Sequence, residues 1–213
     1  MTAALLTLAD SRLPAGGHAH SGGVEQAIAA GVVTDPDTLA TFLRRRLATS
    51  GVVAAGLAAA SCAAADDARR LGELDDEADA RTPSPALRAS SRQQGRGLVR
   101  VGRRAWPSPA WDALPAQPHH AIALGVAAAA GGLTSHDAAQ AAAYLSVSGP
   151  ATAAQRLLAM DPLTVAALTA RLSPDIDGIA GAAVIVGPPA ATDPLLDLLA
   201  EVHAARKDRF FAS

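Results

Sequence analysis

The chain has 213 residues and a formal net charge of −2, so its length suits one domain and its overall charge argues against an electrostatically driven nucleic-acid or acidic-membrane binder. Half of the residues are hydrophobic, yet aromatic residues make up only 3%, and the apolar fraction is carried by alanine and leucine. Alanine loses no side-chain entropy in a helix and lets helices approach closely, so this composition points to helix packed on helix, with genomic GC bias as the rival source of the alanine.

In chain order, residues 4–10 form a short leucine-bearing helix, followed by Leu13-Pro14-Ala15-Gly16-Gly17, where proline and glycine break regular structure. Pro14, Gly16 and Gly17 are assigned to a structural turn. A second helix is predicted from about Gly23 to Gly31. Asp35-Pro36 supplies a capping oxygen and a first-turn proline for a third, on which Leu39, Phe42, Leu43 and Leu47 recur at helical spacing. Residues 51–71 continue as an almost wholly apolar helix, which implies burial on most sides. The apolar stretches are interrupted or too short to span a bilayer, and no leader is evident, so the expected compartment is the cytoplasm.

Charge then divides sharply. Residues 66–79 carry seven acids and two arginines, whereas residues 81–104 carry seven arginines and no acid. Pro83-Ser84-Pro85 opens a helix on which Arg88, Arg92, Arg96, Arg100 and Arg103 share one face. That face has three readings: pairing with the acidic segment or solvation, a protein partner, or phosphate contacts in a helical DNA-binding regulator using Arg88–Arg104. Residues 106–118 read as a loop, and helices are predicted at about 119–130, 135–147, 150–160 and 162–172, with Thr134 or Ser135 capping the second. Residues 173–194, with prolines at 174, 188, 189 and 194, are assigned to a flexible loop or extended crossover. A last helix runs from about Asp193 to Asp208 before the tail Arg209-Phe210-Phe211-Ala212-Ser213. The fold class is all-α, a single domain over residues 1–213 built as a bundle of about eight to ten helices.

Chemistry is sparse. There is no phosphate-binding G-x-x-x-x-G-K-[ST], no G-x-G-x-x-G after a strand, no H-E-x-x-H and no C-x-x-C. The single cysteine, Cys62, forms no internal disulfide and reads as a small core hydrophobe. His18 and His20, two apart between glycine pairs, are weak candidates for a divalent metal such as nickel or zinc, with the alternative that they pack or hydrogen-bond in a glycine-rich turn. His119-His120 reads as solvated or capping. The tail's aromatic pair beside arginine has the composition of a binding hot spot, and it either docks on its own core or waits for a partner.

These residues together resemble a known family. Leu8-Ala9-Asp10-Ser11-Arg12-Leu13-Pro14-Ala15-Gly16-Gly17, then His20-Ser21-Gly22-Gly23-Val24-Glu25, is similar to the N-terminal signature of the UreF family of urease accessory proteins. Arg92-Gln93-Gln94-Gly95-Arg96, Ala153-Ala154-Gln155-Arg156-Leu157 and the terminus from His203 to Ser213 resemble its central helix, late helices and end. Val24, Ala204 and Phe211 depart from the family pattern, as does Pro162-Leu163-Thr164-Val165. The resemblance implies an all-α homodimer without catalytic residues or a cofactor of its own. It implies an assembly with the accessory protein UreD (UreH) and the GTPase UreG that delivers nickel to apo-urease, nickel being cargo handled by the complex. By position it implies Glu25 and Arg156 on a GTPase-facing surface. The tail from His203, with Arg209, Phe210 and Ser213, is then the segment that orders against UreD/UreH.

Overall fold

The computed structural model describes residues 3–10 and 13–213, and the side chain of His18 is not among the described groups. Ser11 and Arg12 of the N-terminal signature lie outside the described residues. Eleven α-helical segments and no strand are present among the described residues: α1 (Ala3–Leu8), α2 (Val24–Ala29), α3 (Pro36–Arg46), α4 (Val52–Ala63), α5 (Ala68–Ala80), α6 (Pro85–Ala105), α7 (His120–Ala130), α8 (Ser135–Leu157), α9 (Pro162–Arg171), α10 (Ser173–Val186) and α11 (Pro194–Ala205). The fold is all-α, as the alanine and leucine content requires.

Helix starts follow local chemistry. Asp35 accepts the Thr38 N–H at 2.9 Å while Thr38 Oγ1 accepts the Asp35 N–H at 3.1 Å, and Pro36 occupies the first turn of α3, where a missing N–H costs nothing. Thr134 and Asp137 form the same reciprocal box at α8. Ser84 caps α6 by accepting the Leu87 N–H, and Glu201 of α11 accepts from the Ser84 hydroxyl and from the Ala86 N–H, tying two distant helices at that cap.

A π turn at Leu47–Gly51 carries α3 into α4, making a 28-residue rod from Pro36 to Ala63. This corrects the expectation that the apolar stretches are too short for a bilayer, since the rod meets that test by length and composition. Half of its apolar window is buried within the protein, and α4 packs chiefly on α7, α8 and α10. The approach of α4 to α7 depends on small residues: a Cβ on Gly125 would lie 2.4 Å from the Ala58 carbonyl oxygen. The rod ends at Ala63 rather than continuing to residue 71, because Asp67 accepts the Arg70 N–H and starts α5 afresh. Cys62 is half-buried, with burial pushing its thiol up and its Sγ 3.7 Å from the Leu133 carbonyl oxygen.

Two apolar clusters share α4 and α8. One gathers α2, α3, α9, α10, α11 and one face along the length of α8, from Ala139 to Ala154. The other gathers α1, α5, α6, α7 and the N-terminal half of α8, with Trp111 filling space against Gly102.

Two further expectations are corrected. The segments at 135–147 and 150–160 are one helix, α8, with Pro150 inside it. Proline at 150 leaves the Ser146 carbonyl without its helical donor, and Arg46 Nε supplies one at 2.8 Å. Residues 173–194 are not a loop throughout: Ser173–Val186 is α10. Pro174 sits harmlessly in its first turn, Ile176, Ala180 and Ala183 face the core, and Gly187 (φ +79) ends it. Only residues 187–193 are irregular.

Candidate functional site: the docked C-terminal tail and its cleft

The tail does not project from the body. Ala212 N–H donates to the Ala19 carbonyl at 2.7 Å, and Ser21 N–H donates to the Ser213 backbone oxygen at 2.5 Å, so the chain's last residues lie along the glycine-rich turn near its start. Ser21 Oγ donates to the same Ser213 oxygen at 2.9 Å. Ser213 Oγ is 2.6 Å from both His20 Nδ1 and Ser90 Oγ, joining the tail to α6. His20 is therefore occupied as a buried hydrogen-bonding residue. The backbone of Gly16–Gly17 forms the expected turn, Gly16 in the left-handed region (φ +89) before a 3-10 turn over Gly17–Ala19. Beside Pro14, the Ala15 carbonyl rests against α6, where a Cβ on Gly97 would come within 2.2 Å of it.

Glu25 is the anchor of this arrangement. It is 4% exposed, and its Oε2 lies 2.9 Å from His203 Nε2, itself 2% exposed. The same carboxylate accepts the Phe210 N–H at 2.8 Å and the Phe211 N–H at 3.0 Å. Burial pushes Glu25 up, but the hydrogen bonds from His203, Phe210 and Phe211 outweigh it and hold the carboxyl below its usual range. The Glu25 carboxylate lies inside the protein, because three groups of its own chain, the His203 ring and the Phe210 and Phe211 amides, converge on it. Next to it, Arg206 donates to Gln26 Oε1 at 3.1 Å.

The structure thus brings together Glu25, His203 and Phe210 at one node and His20 and Ser213 at a second. Phe211 packs on the core, whereas the Phe210 ring is 86% exposed. Arg156 and Arg209 are exposed and line a cleft of about 1010 Å³ that the tail borders, together with Arg46, Ser90, His119 and His120. Burial, with the neighbouring His20, pushes His120 down to about 4. Sequence reasoning missed Ser21, Ser90 and Gln26. Their partners lie 123 to 192 positions away in the chain, and no local pattern marks such pairs.

A second polar node sits across the cleft. His119 Nε2 meets Asp79 Oδ1 at 2.8 Å and its Nδ1 meets Ser91 Oγ at 3.0 Å. Arg92 reaches Asp79 at 2.7 Å and Asp75 at 2.8 Å, and Asp75 accepts the His119 N–H at 2.8 Å. Serine, histidine and aspartate are the residue types of a nucleophilic triad, but every member here is engaged in joining α5, α6 and the start of α7. The arginine face is accordingly divided. Arg88 and Arg92 turn inward, Arg96 reaches Gln117, Arg103 reaches Asp112, and Arg100 and Arg104 remain exposed. No group of three or more histidine, cysteine, aspartate or glutamate residues positioned for a metal occurs among the described residues.

Comparison with known proteins places this geometry. The UreF family model matches residues 33–173. The chain belongs to the UreF family. It is 53% identical over 211 residues to the urease accessory protein UreF of Mycolicibacterium vanbaalenii, covering 99% of this chain and 98% of that relative. It is 51% identical to the protein of that name from Mycobacterium sp. strain JLS (98% and 97% covered) and 52% identical to that of Mycobacterium marinum (99% and 98% covered). The family model's match leaves out both ends, whereas the match to the full-length relatives runs over nearly the whole chain.

Proposed function

We propose that this chain is a cytoplasmic, non-catalytic adaptor in urease maturation, acting as a homodimer that joins UreD/UreH to the GTPase UreG while nickel is inserted into apo-urease. The observation that carries this reading is the tail: its backbone is pinned by Glu25 and Ser21, while Phe210 and Arg209 are displayed outward. An exposed aromatic beside arginine on an ordered support is what a partner surface needs. Exposed Ile185 and Val186 at the end of α10, and Leu198 and Val202 on α11, supply apolar area for association with partners or a second copy. Nickel is treated as cargo of the assembly, and no resident cofactor is assigned to this chain. The inward pairing of Arg88 and Arg92 counts against the DNA-binding alternative, since those guanidinium groups are already committed to carbonyls and carboxylates.

The test is co-expression with tagged UreD/UreH and UreG, together with urease assays in cells lacking this chain. The expected result is recovery of all three proteins together and loss of nickel-loaded urease in the deletion strain. Normal urease in that strain, or UreG recovered with UreD/UreH in the chain's absence, would overturn the reading.

A further inference from the structure

Arg45 and Arg46 are neighbours with opposite fates. Arg45 is paired with Asp193, and that pairing raises its basicity. Arg46 has no carboxylate within ion-pairing distance among the described residues. Arg46 is half-buried at the cleft wall, and burial lowers it to about 10, so it remains a cation near neutral pH in a partly desolvated place.

The sequence explains one of its five donors and leaves the rest. Pro150 lacks an N–H, so the Ser146 carbonyl four residues earlier loses its helical donor; Arg46 Nε fills that role at 2.8 Å. No hydrogen bond from Nη1 or Nη2 to a described residue is present, and Arg46 lines the large cleft. The Gly22 turn lies over this guanidinium. A Cβ on Gly22 would sit 3.3 Å from Arg46 Cζ and Nη2, and 2.7 Å from Pro150 Cγ. A side chain there would fill the space in front of the fork. Arg46 also stands at the entry to the π turn, a helix irregularity found frequently at functional sites. Of the acids that share the cleft lining, Asp193 is held by Arg45, Asp10 is itself engaged, and Asp197 lies on α11 without an ion pair to Arg46.

We propose that the two Nη groups of Arg46, framed by the Gly22 turn, form a binding site for a small oxyanion that enters the cleft. The planar fork matches two oxygens of such an anion, and a partly desolvated guanidinium binds it more strongly than one in water. This site is independent of the adaptor reading, because the isolated chain carries it.

The experiment titrates the full chain with inorganic phosphate at constant ionic strength, using calorimetry. Saturable binding at one site per chain is expected. Arg46→Met should weaken it about tenfold or more, while Arg44→Met, which removes an exposed charge of the same sign outside the cleft, leaves it unchanged. Gly22→Ala should weaken it by crowding the fork. Because Arg46→Met also strips the Ser146 carbonyl of its donor, a crystal of the unaltered protein soaked in selenate provides a second reading: an anomalous peak within hydrogen-bond reach of Arg46 Nη1 or Nη2 is expected. Absence of saturable phosphate binding, equal loss in the Arg44 and Arg46 variants, or a selenate-soaked crystal with no peak at Arg46 would overturn the assignment.

Discussion

Two buried histidines, each 2% exposed, meet carboxylates at the two polar nodes beside the cleft, and their surroundings differ in kind. His119 with Asp79 joins helices that are close in the chain, and Asp79 is shared with Arg92 and remains 42% exposed. His203 with Glu25 joins residues 178 positions apart, in a carboxylate that is itself buried and also holds two backbone N–H groups of the tail. The first node is a strut within the helical body. The second is the carboxylate clamp, among the described residues, on a segment otherwise held by hydrogen bonds of Arg206, Ala212 and Ser213 and by Phe211 on the core. A partner that offers the tail a better place has to replace that defined set of hydrogen bonds, whereas the His119 node ties α5 to α6 and α7 within the helical body.

The largest effect is expected from Glu25→Ala. It leaves His203 buried without its carboxylate and frees the Phe210 and Phe211 amides, so stability should fall by about 3 kcal/mol in chemical denaturation. Residues 206–213 should also become susceptible to carboxypeptidase. Loss of stability without tail release would erase the distinction between the nodes.

Acid is next. His120 follows His119 in the chain and feels His20 of the tail node, so it lies between the two. Its folded value near 4 is below its ordinary 6.5, so the unfolded chain takes up the extra proton first. Stability contributed by keeping it neutral is complete above pH 6.5 and is lost as pH falls toward 4. The loss should be on the order of 3 kcal/mol at most, read from denaturation midpoints, and His120→Asn should flatten that slope. At lower pH the Glu25 contribution goes as well. It is present above the ordinary value of 4.5 and lost as pH falls through the depressed folded value.

Asp79→Asn should cost less, about 1–2 kcal/mol, because Asp75 still holds Arg92 and the His119 N–H. It should leave the tail's protease resistance unchanged, which sharpens the contrast with Glu25. Arg100→Ala, on an exposed part of the arginine face, should change stability by less than about 0.5 kcal/mol.

How much of this was legible in the sequence follows from the range of each interaction. Asp35-Pro36, Ser84-Pro85 and Thr134 with Asp137 announced helix starts because capping is decided within four residues. The switch from acids to arginines at residues 66–104 allowed intramolecular pairing, and Arg92 with Asp75 and Asp79 is that pairing. α10 was hidden because glycines and a first-turn proline look like a loop when the apolar face they serve is unknown. Pro150 suggested a break because the compensating donor, Arg46, is 100 positions from Ser146. The resemblance placed Glu25 and His203 among residues of interest, but not as partners of each other, since no periodicity connects α2 to α11.

The most direct measurement is the affinity of UreD/UreH for the full chain and for a version ending at residue 205, both kept in the same UreG-containing mixture. The expected result is retained folding by circular dichroism with at least about a tenfold loss of capture when residues 206–213 are removed. Equal capture by the shortened and full chains would contradict the assignment of the tail as the partner-binding element.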